Sequence, residues 1–361
     1  FASEPWLANA NNSVAIKRDE VKKKAFKRIF QMTKEWGEPG FLFVDDYGYG
    51  TNPCIHPDAF LHTSSGYRRI GDLFKEGTPV SVDCDSRVGK FDALNMGARG
   101  IEVRQATNVF LTQTQAPVYR VTTDHGHQLT VTDYHEFPTT RGRLRLKDMK
   151  VGDRILLPSG VGSFGSGGTR EDGFLLGSFV GDGTTTPDGL AFVDVWEADF
   201  EDLEYIKGAI RRVVATIPTW REYPELDWTD QTPSPNSAKK RIGGRRFGKW
   251  VMGLSDDGSL YSLKEKVPRS VWGGSREFVE GYIRGLFHAD GSVMMSGHKR
   301  STTLSTRLSS VKPQLLRDVQ MLLGMFGIVS RIYSRKPAGK KMMPDGRGSL
   351  KCYDCQETFE I

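Results

Sequence analysis

Apolar and polar positions change rhythm four times along the chain. Between Asp19 and Trp36, Val21, Ala25, Ile29 and Met32 recur at i, i+4, i+8 and i+11, one face of a helix, while Lys22, Lys23, Lys24 and Lys27 point elsewhere. Gly37-Glu38-Pro39-Gly40 stops that helix, and Phe41-Leu42-Phe43-Val44 reads as a short buried strand, followed by a turn-rich stretch from Tyr47 to Pro53. From 54 to 160 the rhythm becomes β-like, in short runs at Pro79–Val82, Thr107–Leu111, Val118–Thr122, Gln128–Val131 and Arg154–Leu157. Turn residues separate these runs, as in a compact all-β unit. Gly160 to Gly168 reads as a flexible Gly/Ser linker. Residues 170–361 return to a mixed α/β texture, with helices predicted at 172–181, 199–216, 276–289 and 312–326.

Composition narrows the classes. At roughly 100–200 residues per domain, 361 residues imply two or three folded units. A hydrophobic content of 38% with 11% aromatics excludes a disordered chain. No apolar run reaches the ~20 residues needed to span a bilayer, and the N-terminal residues have neither the basic start nor the apolar stretch of a signal peptide. Four cysteines are too few for a disulfide scaffold and favour a reducing compartment, so a cytoplasmic location is expected. The net charge of +6 conceals a segregation. Residues 171–230 hold 14 acidic against 4 basic side chains, whereas 231–351 hold 23 basic against 8 acidic. The basic half is where a polyanion is sought, nucleic acid being the commonest.

The β-patterned unit carries candidate chemistry. Cys54 heads the stretch Cys54-Ile55-His56-Pro57-Asp58-Ala59-Phe60-Leu61-His62-Thr63, and Gly126 to Phe137 includes Thr132 and His135 at Thr-x-x-His spacing. The first stretch resembles the N-terminal splicing block of inteins, and the second resembles their Thr-x-x-His block. The Val151-Gly152-Asp153 turn is also in place. The resemblance implies an all-β Hint-type splicing domain in which the Cys54 thiol attacks the preceding carbonyl. A thiol suits this role because it is nucleophilic near neutral pH and its thioester is a good acyl donor. It further implies that His135 protonates the leaving amide nitrogen and that Thr132 helps polarise or hold the scissile peptide. His125 and His127 lie nearby without a second cluster at ligand spacing, and Cys352-x-x-Cys355 has no partner pair.

If Cys54 opens an intein, residues 1–53 belong to its host. Ala10 to Val14, Gly37 to Phe41, and Gly50-Thr51-Asn52-Pro53 resemble adenosylcobalamin-dependent (class II) ribonucleotide reductase, whose Asn-Pro-Cys-x-Glu motif carries the radical cysteine. Asn52 and Pro53 match, whereas Ile55-His56 replace the x-Glu, as an insertion would require. The resemblance implies adenosylcobalamin for the spliced host enzyme only.

One internal repeat stands out. Asp172-Gly173-Phe174-Leu175-Leu176-Gly177-Ser178-Phe179-Val180-Gly181-Asp182-Gly183 is echoed by Glu280 to Gly291, with Asp290 in the place of Asp182. Small residues at i, i+4 let two helices approach backbone to backbone, each ending in Asp-Gly. This skeleton resembles the LAGLIDADG (DOD-type) homing endonucleases. Two copies imply a pseudo-symmetric α/β domain of two α-β-β-α-type halves, a monomeric pseudo-dimer acting on double-stranded DNA at a homing site in the host gene. Asp182 and Asp290 would hold Mg²⁺ for phosphodiester hydrolysis. Leu190–Val195 and Thr302–Leu308 would form the DNA-facing saddle, with the helix from Leu315 to Phe326 behind it. A family lysine is expected just before an aliphatic-Pro pair. In Lys264-Glu265-Lys266-Val267-Pro268, Glu265 stands at that spacing, leaving Lys264 and Lys266 as candidates.

The expected organisation is therefore multidomain: an extein piece at 1–53, the N-terminal part of the splicing domain at 54–160, a linker at 161–169, and the endonuclease domain at 170–361 with its second half truncated. The C-terminal splicing blocks are not found before Ile361, so the chain reads as a fragment. The rival reading is a degenerate DNA-binding or maturase-like module that does not cleave.

Overall fold

Two short strands near the start, β1 (Ser13–Lys17) and β2 (Gly40–Val44), pair in parallel, Val14 opposite Phe41 and Ile16 opposite Phe43. Lys23, Lys27, Arg28, Phe30, Gln31 and Lys34 between them are helical, so this piece has the expected α/β character. The computed structural model describes residues 13–17, 23, 27, 28, 30, 31, 34, 40–44, 55–76, 80–85, 101–106, 109, 111, 115–157, 160, 163–196, 201–218, 226–234, 237–298, 301–344 and 349–361. Asn52, Cys54 and the predicted apolar face Val21, Ala25, Ile29 and Met32 lie outside them.

The next unit is built from hairpins. Strands β3 (Phe60–Thr63) and β4 (Gly66–Arg69) turn at Gly66, whose φ of +97° is the left-handed region that glycine tolerates. A short helix, α1 (Ile70–Glu76), follows and was not foreshadowed by the β-patterning. Strands β5 (Val80–Asp85) and β6 (Ile101–Ala106) complete a sheet of order β4-β3-β5-β6. Two hairpins follow, β7 (Tyr119–Thr122) with β8 (Gln128–Val131), and β9 (Glu136–Thr139) with β10 (Gly142–Arg145). The run predicted at 154–157 forms only a single bridge, Ile155 to Thr139.

The α/β unit has two halves. The first runs α2 (Arg170–Asp182), β11 (Gly183–Thr185), β12 (Ala191–Trp196), α3 (Leu203–Ala215), β13 (Thr229–Ser234), β14 (Ser237–Gly244) and α4 (Arg245–Gly253). After a short helix, α5 (Arg269–Trp272), the second runs α6 (Arg276–Asp290), β15 (Gly291–His298), β16 (Ser301–Ser310), α7 (Pro313–Met325), β17 (Tyr333–Lys336), the hairpin β18 (Gly339–Pro344) and β19 (Leu350–Cys355), and β20 (Thr358–Glu360). Each half thus begins α-β-β-α. Each half also closes a four-stranded antiparallel sheet, β11-β12-β14-β13 and β15-β16-β20-β17.

Helices α2 and α6 lie at the centre. Thr169 opens α2 with a capping box to Asp172, and Ser275 opens α6 by accepting from the Phe278 N–H. Their contact is backbone on backbone. A Cβ on Gly173 would overlap the carbonyl oxygen of Phe278, one on Gly177 that of Tyr282, one on Gly281 that of Arg170, and one on Gly285 that of Phe174. Phe174, Leu175, Phe179, Tyr282 and Leu286 surround the pair in a core that both halves share.

Residues 163–168 of the stretch expected to be a flexible linker are packed, while 161 and 162 lie outside the described residues. Ser163 N–H donates to His62 Nε2 at 2.9 Å, Ser275 N–H donates to the Gly167 carbonyl at 2.7 Å, and Gly167 bridges Gly274 in parallel. The Phe164 and Phe326 rings meet at a tilt of 44° with centroids 5.2 Å apart, and the Arg276 guanidinium lies over both. Gly165 and Gly168 are glycines because a Cβ would strike the Gly273 carbonyl and the Phe278 ring. Phe60 and Tyr67 of the hairpin unit also meet Trp272 of α5, with ring centroids 4.4 and 5.6 Å apart. The His125 carbonyl accepts from Gln320 Nε2 and from the Ile332 N–H. Among the described residues no helix is long and apolar enough to cross a membrane.

Candidate active site

The glycine-packed helix pair determines where the repeated aspartates fall. Both helices end at Asp-Gly: the Gly183 N–H returns to the Phe179 carbonyl, the Gly291 N–H to the Phe287 carbonyl, and a strand leaves at once. Asp182 and Asp290 therefore stand side by side at one end, Asp290 Oδ2 lying 3.4 Å from the position a Cβ on Gly181 would take. Carboxylates at helix C-termini face the negative end of the dipole, an arrangement that favours a cation between them.

One cation comes from the chain itself. A 3₁₀ turn at Ser262–Lys264 brings Lys264 Nζ to the end of α2, where it donates to the carbonyls of Gly181 at 3.1 Å and Gly183 at 2.7 Å. Burial pushes the Lys264 ammonium pKa down, and Asp290, Asp182 and Asp194 oppose that shift. Burial raises the Asp290 carboxyl and Lys264 counteracts it, while the residue keeps an exposed edge. Lys266 goes elsewhere, pairing with Asp256 at 2.6 Å, and Glu265 pairs with Lys312 at 2.6 Å. Of the two candidate lysines, the structure brings only Lys264 to the aspartates. Asp194 was not singled out in the sequence. Its signal, a charge within the apolar alternation of β12, means little until the neighbouring strands are in place.

The donor chemistry fits Mg²⁺, which takes one or two carboxylates and fills its remaining positions with water and phosphate oxygens. Among the described residues no group of three or more His, Cys, Asp or Glu gathers as a metal cage, and Cys352 and Cys355 are free thiols on β19.

A second constellation lies in the hairpin unit. Thr132 is buried at the end of β8, and the His135 N–H donates to its carbonyl at 3.2 Å. Burial depresses the His135 imidazole pKa, with Glu136 opposing, and the buried Nδ1 has no hydrogen-bond partner among the described residues. Ile55 bridges Val131 and the His56 N–H donates to the Thr130 carbonyl, so the chain immediately after Cys54 runs beside the strand that ends at Thr132.

Residues 277–354 match the family described as LAGLIDADG-like domain, which spans α6 and most of the second half. Among curated relatives, the chain is similar over 94% of its length to the ribonucleoside-diphosphate reductase NrdEB subunit alpha of Bacillus subtilis (strain 168), at 25% identity and over 32% of that protein. It is similar over 66% of its length to the replicative DNA helicase DnaB of Rhodothermus marinus, at 30% identity and over 25% of that protein. The chain thus spans a third or less of the length of these relatives. A crystal structure of a DnaB intein from Synechocystis sp. PCC 6803 aligns over 30% of this chain and 70% of that one, at 23% identity and a TM-score of 0.25. The matches bear out a LAGLIDADG-type module in a chain related to ribonucleotide reductases.

Proposed function

We propose that the α/β unit is a site-specific DNA endonuclease and that the hairpin unit splices it out of a ribonucleotide reductase precursor. The observation that carries the nuclease reading is the convergence of Asp182, Asp290 and Lys264 at the end of one glycine-packed helix pair. Asp182 and Asp290 would hold Mg²⁺, which when bound supplies water activation and stabilisation of the leaving oxygen. Lys264, fixed by two backbone carbonyls, offsets negative charge where a phosphodiester would lie. One chain supplies both halves, so the module works as a monomer on double-stranded DNA.

In the splicing reading the Cys54 thiol attacks the Pro53 carbonyl carbon. The S–C bond forms, the C–N bond breaks, and the amide nitrogen leaves as an amine carrying the proton relayed through His135. Thr132 holds the scissile peptide. The reductase match supports the host assignment, since it leaves out 6% of 361 residues, about 22, fewer than the 53 that precede Cys54. Adenosylcobalamin is proposed for the spliced host alone. The chain would act in the cytoplasm.

A nicking assay on a plasmid bearing the uninterrupted reductase gene tests the nuclease. Mg²⁺-dependent cleavage is expected, with loss in Asp182→Asn and Asp290→Asn. Retained binding without cleavage by the unaltered chain would instead favour the DNA-binding or maturase-like reading, for which Glu265 at the family's lysine spacing speaks. For splicing, thiol treatment should release residues 1–53, and release that survived Cys54→Ala would refute the nucleophile.

A further inference from the structure

The outer faces of the two saddle sheets carry the same device. On β12, Ala191, Val193 and Val195 enter the core, so Phe192, Asp194 and Trp196 project to the opposite face. There Asp194, 6% exposed, faces Arg241 across the β12–β14 ladder. Arg241 Nε donates to Asp194 Oδ1 at 2.7 Å and Nη2 to Oδ2 at 3.0 Å, a two-point fork. Lys239 Nζ reaches Oδ2 at 3.2 Å, and Thr184 Oγ1 donates to it at 2.7 Å. Arg241 lies over the Phe192 ring and Lys239 over Trp196.

The second half repeats the arrangement with different residues. Leu308, Phe359 and Ile361 pack into the core, which turns Arg307, Ser309 and Glu360 outward. Glu360, 1% exposed, accepts from Arg307 Nη1 at 3.1 Å and Ser309 Oγ at 3.1 Å, pairs with Arg335 Nη1 at 3.0 Å, and accepts from the Tyr333 hydroxyl. Burial disfavours ionisation of both carboxylates, but the bonds they accept overcome it and leave both pKa values lowered.

We propose that Asp194 and Glu360 are positioning residues that fix Arg241 with Lys239, and Arg307 with Arg335, in preset orientations for reading duplex DNA. The proposal rests on the endonuclease reading above. Each cluster keeps one net positive charge, two cations against one anion. Among the described residues, Nη1 of Arg241 and Nη2 of Arg307 and Arg335 have no hydrogen-bond partner. Those nitrogens are available to guanine O6 and N7 or to a phosphate. A carboxylate on a polyanion-binding face weakens non-specific attraction. What it supplies in return is orientation: a guanidinium already forked onto a buried anion loses little rotamer freedom on meeting a base edge.

The test uses the full chain in Ca²⁺, which keeps the DNA intact. It measures affinity for a duplex of the uninterrupted reductase gene around the insertion point and for a shuffled duplex of equal length and composition. Asp194→Asn and Glu360→Gln are each expected to lower the ratio of the two affinities about tenfold. Binding to the shuffled duplex should hold or rise, because a negative charge is gone. Arg241→Lys keeps the charge and removes the fork, so it should lose the same discrimination and decides the matter if an acid variant does not fold. Ratios unchanged within about twofold in folded variants overturn the positioning role while leaving the endonuclease reading intact. An unaltered chain that prefers neither duplex overturns the endonuclease reading, and this inference with it.

Discussion

Lys264 illustrates how one side chain can serve two needs. Its ammonium satisfies two carbonyls at the end of α2 that the helix cannot bond internally, and it faces both aspartates. Lys264→Met should therefore lower DNA cleavage by about a hundredfold, the usual scale for removing one electrostatic stabiliser, while DNA affinity changes little. Single-turnover cleavage alongside a binding titration separates the two effects. Asp318 on α7 is buried away from this site, accepting from the Val267 N–H at 3.0 Å and Gln314 Nε2 at 2.7 Å. Burial raises its carboxyl from 3.8 to about 6 despite those bonds. Because the folded value exceeds the unfolded one, the stability this group contributes is full below pH 3.8 and is lost as pH rises through about 6. The loss amounts to about 3 kcal/mol. Asp318→Asn removes this titration and should flatten the dependence between pH 4 and 7, read from urea midpoints, although its amide nitrogen must then face one of the two N–H donors.

At the scale of elements, the helix pair is the strictest joint. Gly177→Ala would drive a methyl into the Tyr282 carbonyl, which can yield only if α2 and α6 separate. A loss of about 3 kcal/mol is expected, with cleavage failing before folding does, because the aspartates part as the helices do. Gly208, in the middle of α3, provides the contrast: its added Cβ meets nothing within 4 Å, so Gly208→Ala should stabilise by about 0.5–1 kcal/mol. Chemical denaturation of both variants checks the pair. The glycine skeleton made this joint legible in the sequence, since it repeats at spacings that only close helices require. Helices α2, α3, α6 and α7 were legible for a related reason, their apolar period being long enough to read, whereas the shorter α4 and α5 were not. The lysine was not legible. Whether Lys264 or Lys266 points inward depends on the 3₁₀ turn before it, which sends Glu265 out to Lys312. The Asp194 and Glu360 clusters were hidden too. Their members sit up to 57 residues apart and meet only through strand pairing.

For the whole molecule, the stretch read as a linker is a wedge. A glycine-rich sequence looks the same whether it is loose or whether it threads between backbones too close for a side chain, and Gly165 and Gly168 are of the second kind. Limited proteolysis of the full chain should therefore leave 163–169 uncut. Early cleavage there would show instead that the two units swing freely. The same wall has a consequence for anyone shortening the protein to a bare splicing unit. Removing the α/β unit would strip Trp272 from Phe60 and Tyr67 and the Gln320 and Ile332 donors from the His125 carbonyl. A minimal version would then need polar residues at 60 and 67 to stay soluble: trimming here means refinishing a surface as well as cutting a gene.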